Sequence, residues 1–507
     1  MRRLLAVLGF VTVLVPTMGT GAAPVLGSAV SDAATAGPVV LRDRQAGMHN
    51  LKAKAPQQQD TAVEPSIAVN PSNPMNAVIG YQAGRVDAGC AQTLGYGVTF
   101  DGGETWTWGP LPKLTTANGG TYPLASDPVI AFGPNNVVYY NELMCGSDGT
   151  NDLATSVSHD GGKTWGDPIL IPQMQTFDSD DKNWIVVDNG TGTGHHPGRL
   201  YLVWDNVEPV VALYSDDEAK TWNGPSVIYP GQGIGTLPFV MPNGDLAVVF
   251  NTLAYLPPIP SDGNEPEAGF TGAEMIVATA RGAGAVPTGG PLAFTLPTAV
   301  GTDHSVDTPG QRAGEGIPTA ALDAASGKLY VAWADSRFRT DGHNDIILTS
   351  TDNGGISWTA PVSVNPGPHD NSIEHFTPAI TVGPDGSVRV AYRQQEEGSD
   401  FVDTFYQQSA DGGHTWTAPT LVNTGSIPEF LPNQEVPVRT DVNFAAYSRS
   451  SAFLGDYNEM VAVGSWTYIV RCESYQLNPN EPSQFPPKVH HQRAWVAVVD
   501  ADGDGVR

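Results

Sequence analysis

Apolar residues come in short runs paired across a turn, and the pair recurs along the chain. Early copies are "EPSIAVNPSNPMNAVIGYQ" from Glu64, "DPVIAFGPNNVVYYNEL" from Asp127 and "NWIVVDNGTGTGHHPGRLYLVW" from Asn183. "LPFVMPNGDLAVVF" from Leu237, "IPTAALDAASGKLYVAW" from Ile317 and "TPAITVGPDGSVRVAY" from Thr377 follow, then a looser "LGDYNEMVAVGSWTYIV" from Leu454. Short runs rich in Val, Ile and aromatic residues, bounded by Gly, Pro, Asn and Asp, predict β-strands joined by turns. No sustained helical periodicity follows the N-terminus.

An eight-residue phrase punctuates the pairs. "TFDGGETW" ends at Trp106, "SHDGGKTW" at Trp165 and "SADGGHTW" at Trp416. "SDDEAKTW" ends at Trp222 with Ala219 in place of a glycine, and "TDNGGISW" ends at Trp358 with Asn353 in place of the aspartate. The aspartate can hold backbone N–H groups of a tight turn, the glycines tolerate positive φ, and Thr-Trp resumes an extended chain. Successive tryptophans lie about 57–59 residues apart, except for one double gap that "EMIVATARGAGAVPTGGPLAF" fills as a worn copy. The pattern predicts an all-β chain: a β-propeller with four-stranded blades, seven favoured over six.

These phrases resemble the Asp boxes of the sialidase (BNR-repeat) superfamily, over roughly residues 60–500. The resemblance implies that the box is structural, at the turn from the third to the fourth strand, on the rim away from substrate. Fold alone does not fix activity, so chemistry has to be sought at other residues.

Length and composition narrow the picture. The chain has 507 residues, with 57 Gly and 42 Pro, as suits a turn-rich β-domain spanning 59–507. "MRRLLAVLGFVTVLVPTMGTGAAP" reads as a secretory signal over 1–23, and no other segment is apolar enough to span a bilayer. Residues 24–58 read as a flexible lead-in, in which "GPVVLRD" could instead supply a strand that closes the ring. A net charge of -28 argues against a nucleic-acid partner and for an exported monomer kept apart by self-repulsion. The 3 cysteines fit export; Cys90–Cys145 is favoured over Cys90–Cys472. No metal or other cofactor is expected, beyond a structural calcium that "DADGDG" at 500–505 could invite.

In a propeller of this winding, first-strand starts and second-strand ends open on one face, the default place for a site. Those positions hold Glu64, Asp127, Asp181, Lys182, Glu315, Asp456 and Tyr457, with Asp205, Arg85, Arg337 and Arg393 at strand ends. The resemblance implies Tyr457 as nucleophile, Glu315 as its base, Asp87 or Asp127 as acid/base, and Arg85, Arg337 and Arg393 as substrate-binding arginines. Glu64 and Asp456 complete the catalytic candidates. Glu64 stands where sialidases carry an arginine, which favours a neutral or cationic sugar. The expected function is a secreted, glycan-active glycoside hydrolase acting on a carbohydrate substrate. A polysaccharide lyase and a non-catalytic glycan- or protein-binding propeller are the alternatives.

Overall fold

The computed structural model describes residues 37–49, 51–53, 56–171, 181–205, 209–252, 273–365, 367–425, 439–449, 451–477 and 480–504. The signal segment expected at 1–23 lies outside them, as does Gly505 at the end of the acidic tail. Among the described residues the chain is all-β, with short 3-10 turns as its only helical elements and no helix long and apolar enough to cross a membrane.

Antiparallel strands follow one another in groups that begin with Ala62–Val69, Leu124–Phe132, Asp181–Val187, Gly233–Val240, Thr319–Leu322, Ile373–Val382 and Glu459–Val463, the first two groups joined through Ala91 and Ala125 into one eight-stranded sheet. Each of these pairs with the next strand in the chain, as the paired apolar runs require. Each first strand also lies against the first strands of the sheets before and after it, and Glu459–Val463 lies against Ala62–Val69. In the last sheet the outer strand is Val39–Gln45, which pairs antiparallel with Gln492–Asp500 near the other end of the chain. A small extra sheet sets Gln311–Arg312 parallel to Ser451–Phe453, which pairs in turn with Ala446–Ser448.

The second strands read as unbroken apolar runs because both of their faces are covered. In Val138–Cys145, Val138, Tyr140 and Met144 pack towards the first sheet, while Tyr139 and Leu143 pack towards the third. Each such buried aliphatic side chain contributes roughly 1.5–3 kcal/mol, which makes these sheet-to-sheet faces the core.

The eight-residue phrase forms the turn between third and fourth strands. Asp160 Oδ1 accepts from the Thr164 amide at 2.9 Å, and its Oδ2 accepts from the Thr164 hydroxyl at 2.6 Å. Ser158 Oγ donates to Asp160 and accepts from the Gly162 amide at 2.9 Å. Asp101, Asp217 and Asp411 repeat the arrangement, and Asn353 keeps it with Ser357. Trp165 then packs edge-on to Tyr140 and against Tyr96 of the preceding sheet. The phrase therefore closes a turn and plugs a seam between sheets. Strands alternate in direction, so these turns lie at the end opposite the second-strand ends.

Candidate functional site

Five first strands carry a bulge at the same place. The register slips between Val63 and Ser66, Ser126 and Val129, Asp181 and Trp184, Ile234 and Leu237, and Phe376 and Ala379. Inside each slip one residue takes a positive φ: Glu64 at 52°, Asp127 at 44°, Lys182 at 32°, Gly235 at 74° and Thr377 at 45°. A side chain in this region costs about 1–3 kcal/mol, and such strain gathers at sites where a bulge re-aims a side chain. Glu64, Asp127 and Lys182 all line one cavity of about 230 Å³, together with Asp181 from the same strand as Lys182.

The second-strand ends and the small sheet supply the rest. Arg85 ends its strand at the cavity, and Arg312 enters from the small sheet. Both guanidinium groups lie 4.6 Å from the centre of the Phe453 ring. Arg312 pairs with Asp456 through both carboxylate oxygens and donates to Ser448 Oγ at 3.0 Å. That pair fixes the residue next to Tyr457, whose hydroxyl donates to Asp127 Oδ1 at 3.2 Å. Gln82 bridges the group: it donates to Glu64 and to Ser126 Oγ, and accepts from Arg85 at 2.8 Å.

Burial sets the charge states. Desolvation, reinforced by Asp127 and Asp456, pushes the Glu64 carboxyl well above the usual carboxylate range. Asp181, exposed at the edge of the cavity, is raised to about 6 by partial desolvation and by Asp127. Asp205, buried next to Asp181 and accepting from the Gly235 amide at 3.1 Å, is also raised well above its ordinary value. Tyr457 is pushed up first by burial and then by Asp127 and Glu64. Burial pulls Lys182 and Arg85 down. It pulls Arg312 down too, but Asp456 outweighs it and the guanidinium is held firmly charged. A neutral carboxyl beside other carboxylates is what general acid catalysis needs near neutral pH.

The structure thus brings Glu64, Asp127, Asp456, Tyr457 and Arg85 to one cavity, and separates others expected there. Glu315 accepts from the Thr308 amide at 2.8 Å and lines the apolar cavity beyond Lys182 and Tyr457, not the one holding Glu64. Tyr457 therefore has Asp127, not Glu315, as its carboxylate partner. Arg337 folds back onto Asp335 and the Thr302 carbonyl. Arg393 is buried with its guanidinium donating to the Cys472 carbonyl at 2.7 Å. Neither lines the cavity, contrary to expectation; the arginines that do are Arg85, Arg312 and Arg449. Asp87 accepts from the Arg449 amide at 2.9 Å. Arg312 escaped sequence reasoning because its two-residue strand belongs to no repeat; its one signal is a place two residues before Gly314 in "GQRAGEGIP".

A disulfide joins Cys90 to Cys145, and Cys472 is a buried free thiol. Cys90 is itself a cavity residue, so the cross-link ties that wall to the second sheet. Among the described residues no group of three or more His, Cys, Asp or Glu is arranged to hold a metal ion.

No protein-family model and no curated protein matches the sequence. Among solved structures, a protein of unknown function from Dyadobacter fermentans is 11% identical, with a TM-score of 0.43, covering 92% of this chain and 99% of its own. An alpha-L-arabinofuranosidase from Fusarium graminearum is 10% identical, with a TM-score of 0.42 and the same coverage of 92% and 99%. The intramolecular trans-sialidase from Ruminococcus gnavus is 14% identical, with a TM-score of 0.42, covering 68% of this chain and 92% of its own. The chain is thus similar, at low identity, to an arabinofuranosidase and a sialidase.

Proposed function

We propose that this protein is a secreted, monomeric glycoside hydrolase on a seven-bladed β-propeller of the sialidase superfamily. The cyclic neighbour relation of the first strands, the Val39–Gln45 strand in the last sheet and the recurring box turns support that architecture. The observation that carries the activity is the Tyr457–Asp127 hydrogen bond in the cavity that Glu64, its carboxyl raised by burial, also lines.

In this reading Tyr457 is the nucleophile. Its oxygen forms a bond to the anomeric carbon while its proton passes to Asp127. The glycosidic C–O bond breaks, and Glu64 gives its proton to the departing oxygen. Water then attacks the anomeric carbon and the bond to the tyrosine oxygen breaks, with Glu64 taking the water proton and Tyr457 recovering its own from Asp127. The cavity is lined by Glu64, Asp127, Asp181 and Asp456 on one side of the charge balance and by Arg85, Lys182, Arg312 and Arg449 on the other. That balance suits a neutral sugar. Asp181, pushed to about 6 in the same cavity, favours a second reading in which two carboxyls act as acid and base without a covalent tyrosine.

The test is a screen of the purified protein on plant, bacterial and animal glycans, followed by Tyr457→Phe, Glu64→Gln and Asp181→Asn on any substrate found. Loss of turnover in the first two supports the tyrosine route. Full activity of Tyr457→Phe with loss in Asp181→Asn supports the two-carboxyl route. Unsaturated uronate products would make the protein a lyase, and binding without turnover a glycan-binding propeller.

A further inference from the structure

Among the described residues, Lys182 is the one buried cation of the cavity with no carboxylate or carbonyl in hydrogen-bond contact with its charged end. Its ammonium nitrogen is buried and has no hydrogen-bond partner among the described residues. It lies against two aromatic faces. Nζ lies 3.7 Å from the centre of the Tyr457 ring and 4.1 Å from that of Trp184, and the two rings meet edge to face at 5.9 Å. The backbone holds it there deliberately: φ of 32° at a bulge, the Lys182 carbonyl accepting from Thr236 Oγ1 at 3.0 Å, and its amide donating to Asp181 Oδ1 at 2.9 Å.

A buried lysine placed over a ring face rather than on an acid gives up its best partner, and another reason is needed for its position. Carboxylates surround it without touching it: Asp127 and Glu64 from the first two sheets, Asp205 from its own sheet and Glu459 from the last. They favour the charged form that burial opposes. Tyr457 faces Asp127, Glu64 and Asp456, all of which resist its ionisation. Lys182 is the cation over its ring, and attraction of an ammonium to an aromatic face strengthens as the phenol oxygen gains negative charge.

We propose that Lys182 is a positioning residue that acts through Tyr457, holding a positive charge over the ring so that the phenol can pass its proton to Asp127 and become the nucleophile. The proposal rests on the tyrosine route above and explains why Tyr457, among so many acids, can ionise at all. Trp184 supplies the second aromatic face against the ammonium.

The test reads Tyr457 directly. Difluorotyrosine placed at position 457 brings its ionisation into a measurable range, followed by 19F NMR against pH. Lys182→Met should raise the ionisation midpoint by about one pH unit, the size of a desolvated cation–π contact. Lys182→Arg, which keeps the cation, should restore most of it. Should Lys182→Met not fold, Lys182→Gln, close in shape and uncharged, takes its place. An unchanged midpoint in a folded, uncharged variant overturns the proposal. The titration needs no substrate, so a protein that cleaves no glycan would sink the hydrolase reading while leaving this result to stand or fall alone.

Discussion

The Tyr457 hydroxyl lies 3.2 Å from the Asp127 carboxylate although 330 residues separate them. The two come from first-strand starts of the last and second sheets, which the cycle of first strands turns towards a shared cavity. This pair, and not Tyr457 with Glu315, sets the first expectation. Tyr457→Phe and Asp127→Asn should each lower kcat/KM on a confirmed substrate by about 10²–10⁴-fold. Glu315→Gln, whose carboxyl accepts from the Thr308 amide outside the cavity that holds Glu64, should stay within a few-fold of wild type. Steady-state kinetics on the three variants decide it.

The box turns lie at the far end of the strands, so Asp160→Ala should change stability and not turnover. The amides it holds, on Lys163 and Thr164, are at an exposed turn. The loss should therefore be about 1 kcal/mol, near the net value of an ordinary hydrogen bond. Urea melts give the stability; activity per folded molecule should match wild type. A drop in turnover without a change in midpoint would place the turn at the wrong end.

Joining residues 55 apart, the Cys90–Cys145 disulfide restrains the unfolded chain by about 4 kcal/mol on the loop-entropy relation. The double variant Cys90→Ala/Cys145→Ala should lose stability of that order. It should also loosen the cavity wall and raise KM more than it lowers kcat. Mass spectrometry of alkylated, non-reduced protein should show a single thiol, Cys472, labelled only after denaturation.

Glu142 gives a pH test away from the cavity. It is fully buried, accepts from the Ser156 amide at 3.1 Å and leaves its other oxygen without a partner among the described residues. Burial pushes its carboxyl from 4.5 up to about 8. Between those values the unfolded chain has lost this proton and the folded chain keeps it, so stability falls as pH rises through the window. Glu142→Gln removes the falling slope and should stabilise the protein above neutral pH by on the order of a few kcal/mol. Urea melts at acidic and alkaline pH on both proteins should converge at low pH and separate at high pH. Parallel curves would show that Glu142 is not the group titrating.

The sequence by itself determined the strands, the turns and their repetition. These are local matters: a run such as "VVYYNEL", short, rich in Val and Tyr and bounded by turn residues, favours a two-sided buried strand, and Asp160 with Gly161 and Gly162 closes a turn within eight residues. It also marked Glu64, Asp127, Asp456 and Tyr457 as residues of one face, since strand direction alone assigns an end to each. What the tertiary structure decided is where each side chain points from that end. The bulges at Glu64, Asp127 and Lys182 turn them into the cavity by a slip of register that no local pattern announces. Arg337 and Arg393 occupy strand ends like that of Arg85, yet Asp335 captures one and the seam beside Cys472 takes the other. Arg312 arrives instead, carried by a parallel pairing with Phe453 from the far side of the sequence. Strand positions follow from short-range pattern; the partner of a buried charge follows from which group the folded chain brings to it, whether a near neighbour as Asp335 is to Arg337 or a distant one as Asp456 is to Arg312.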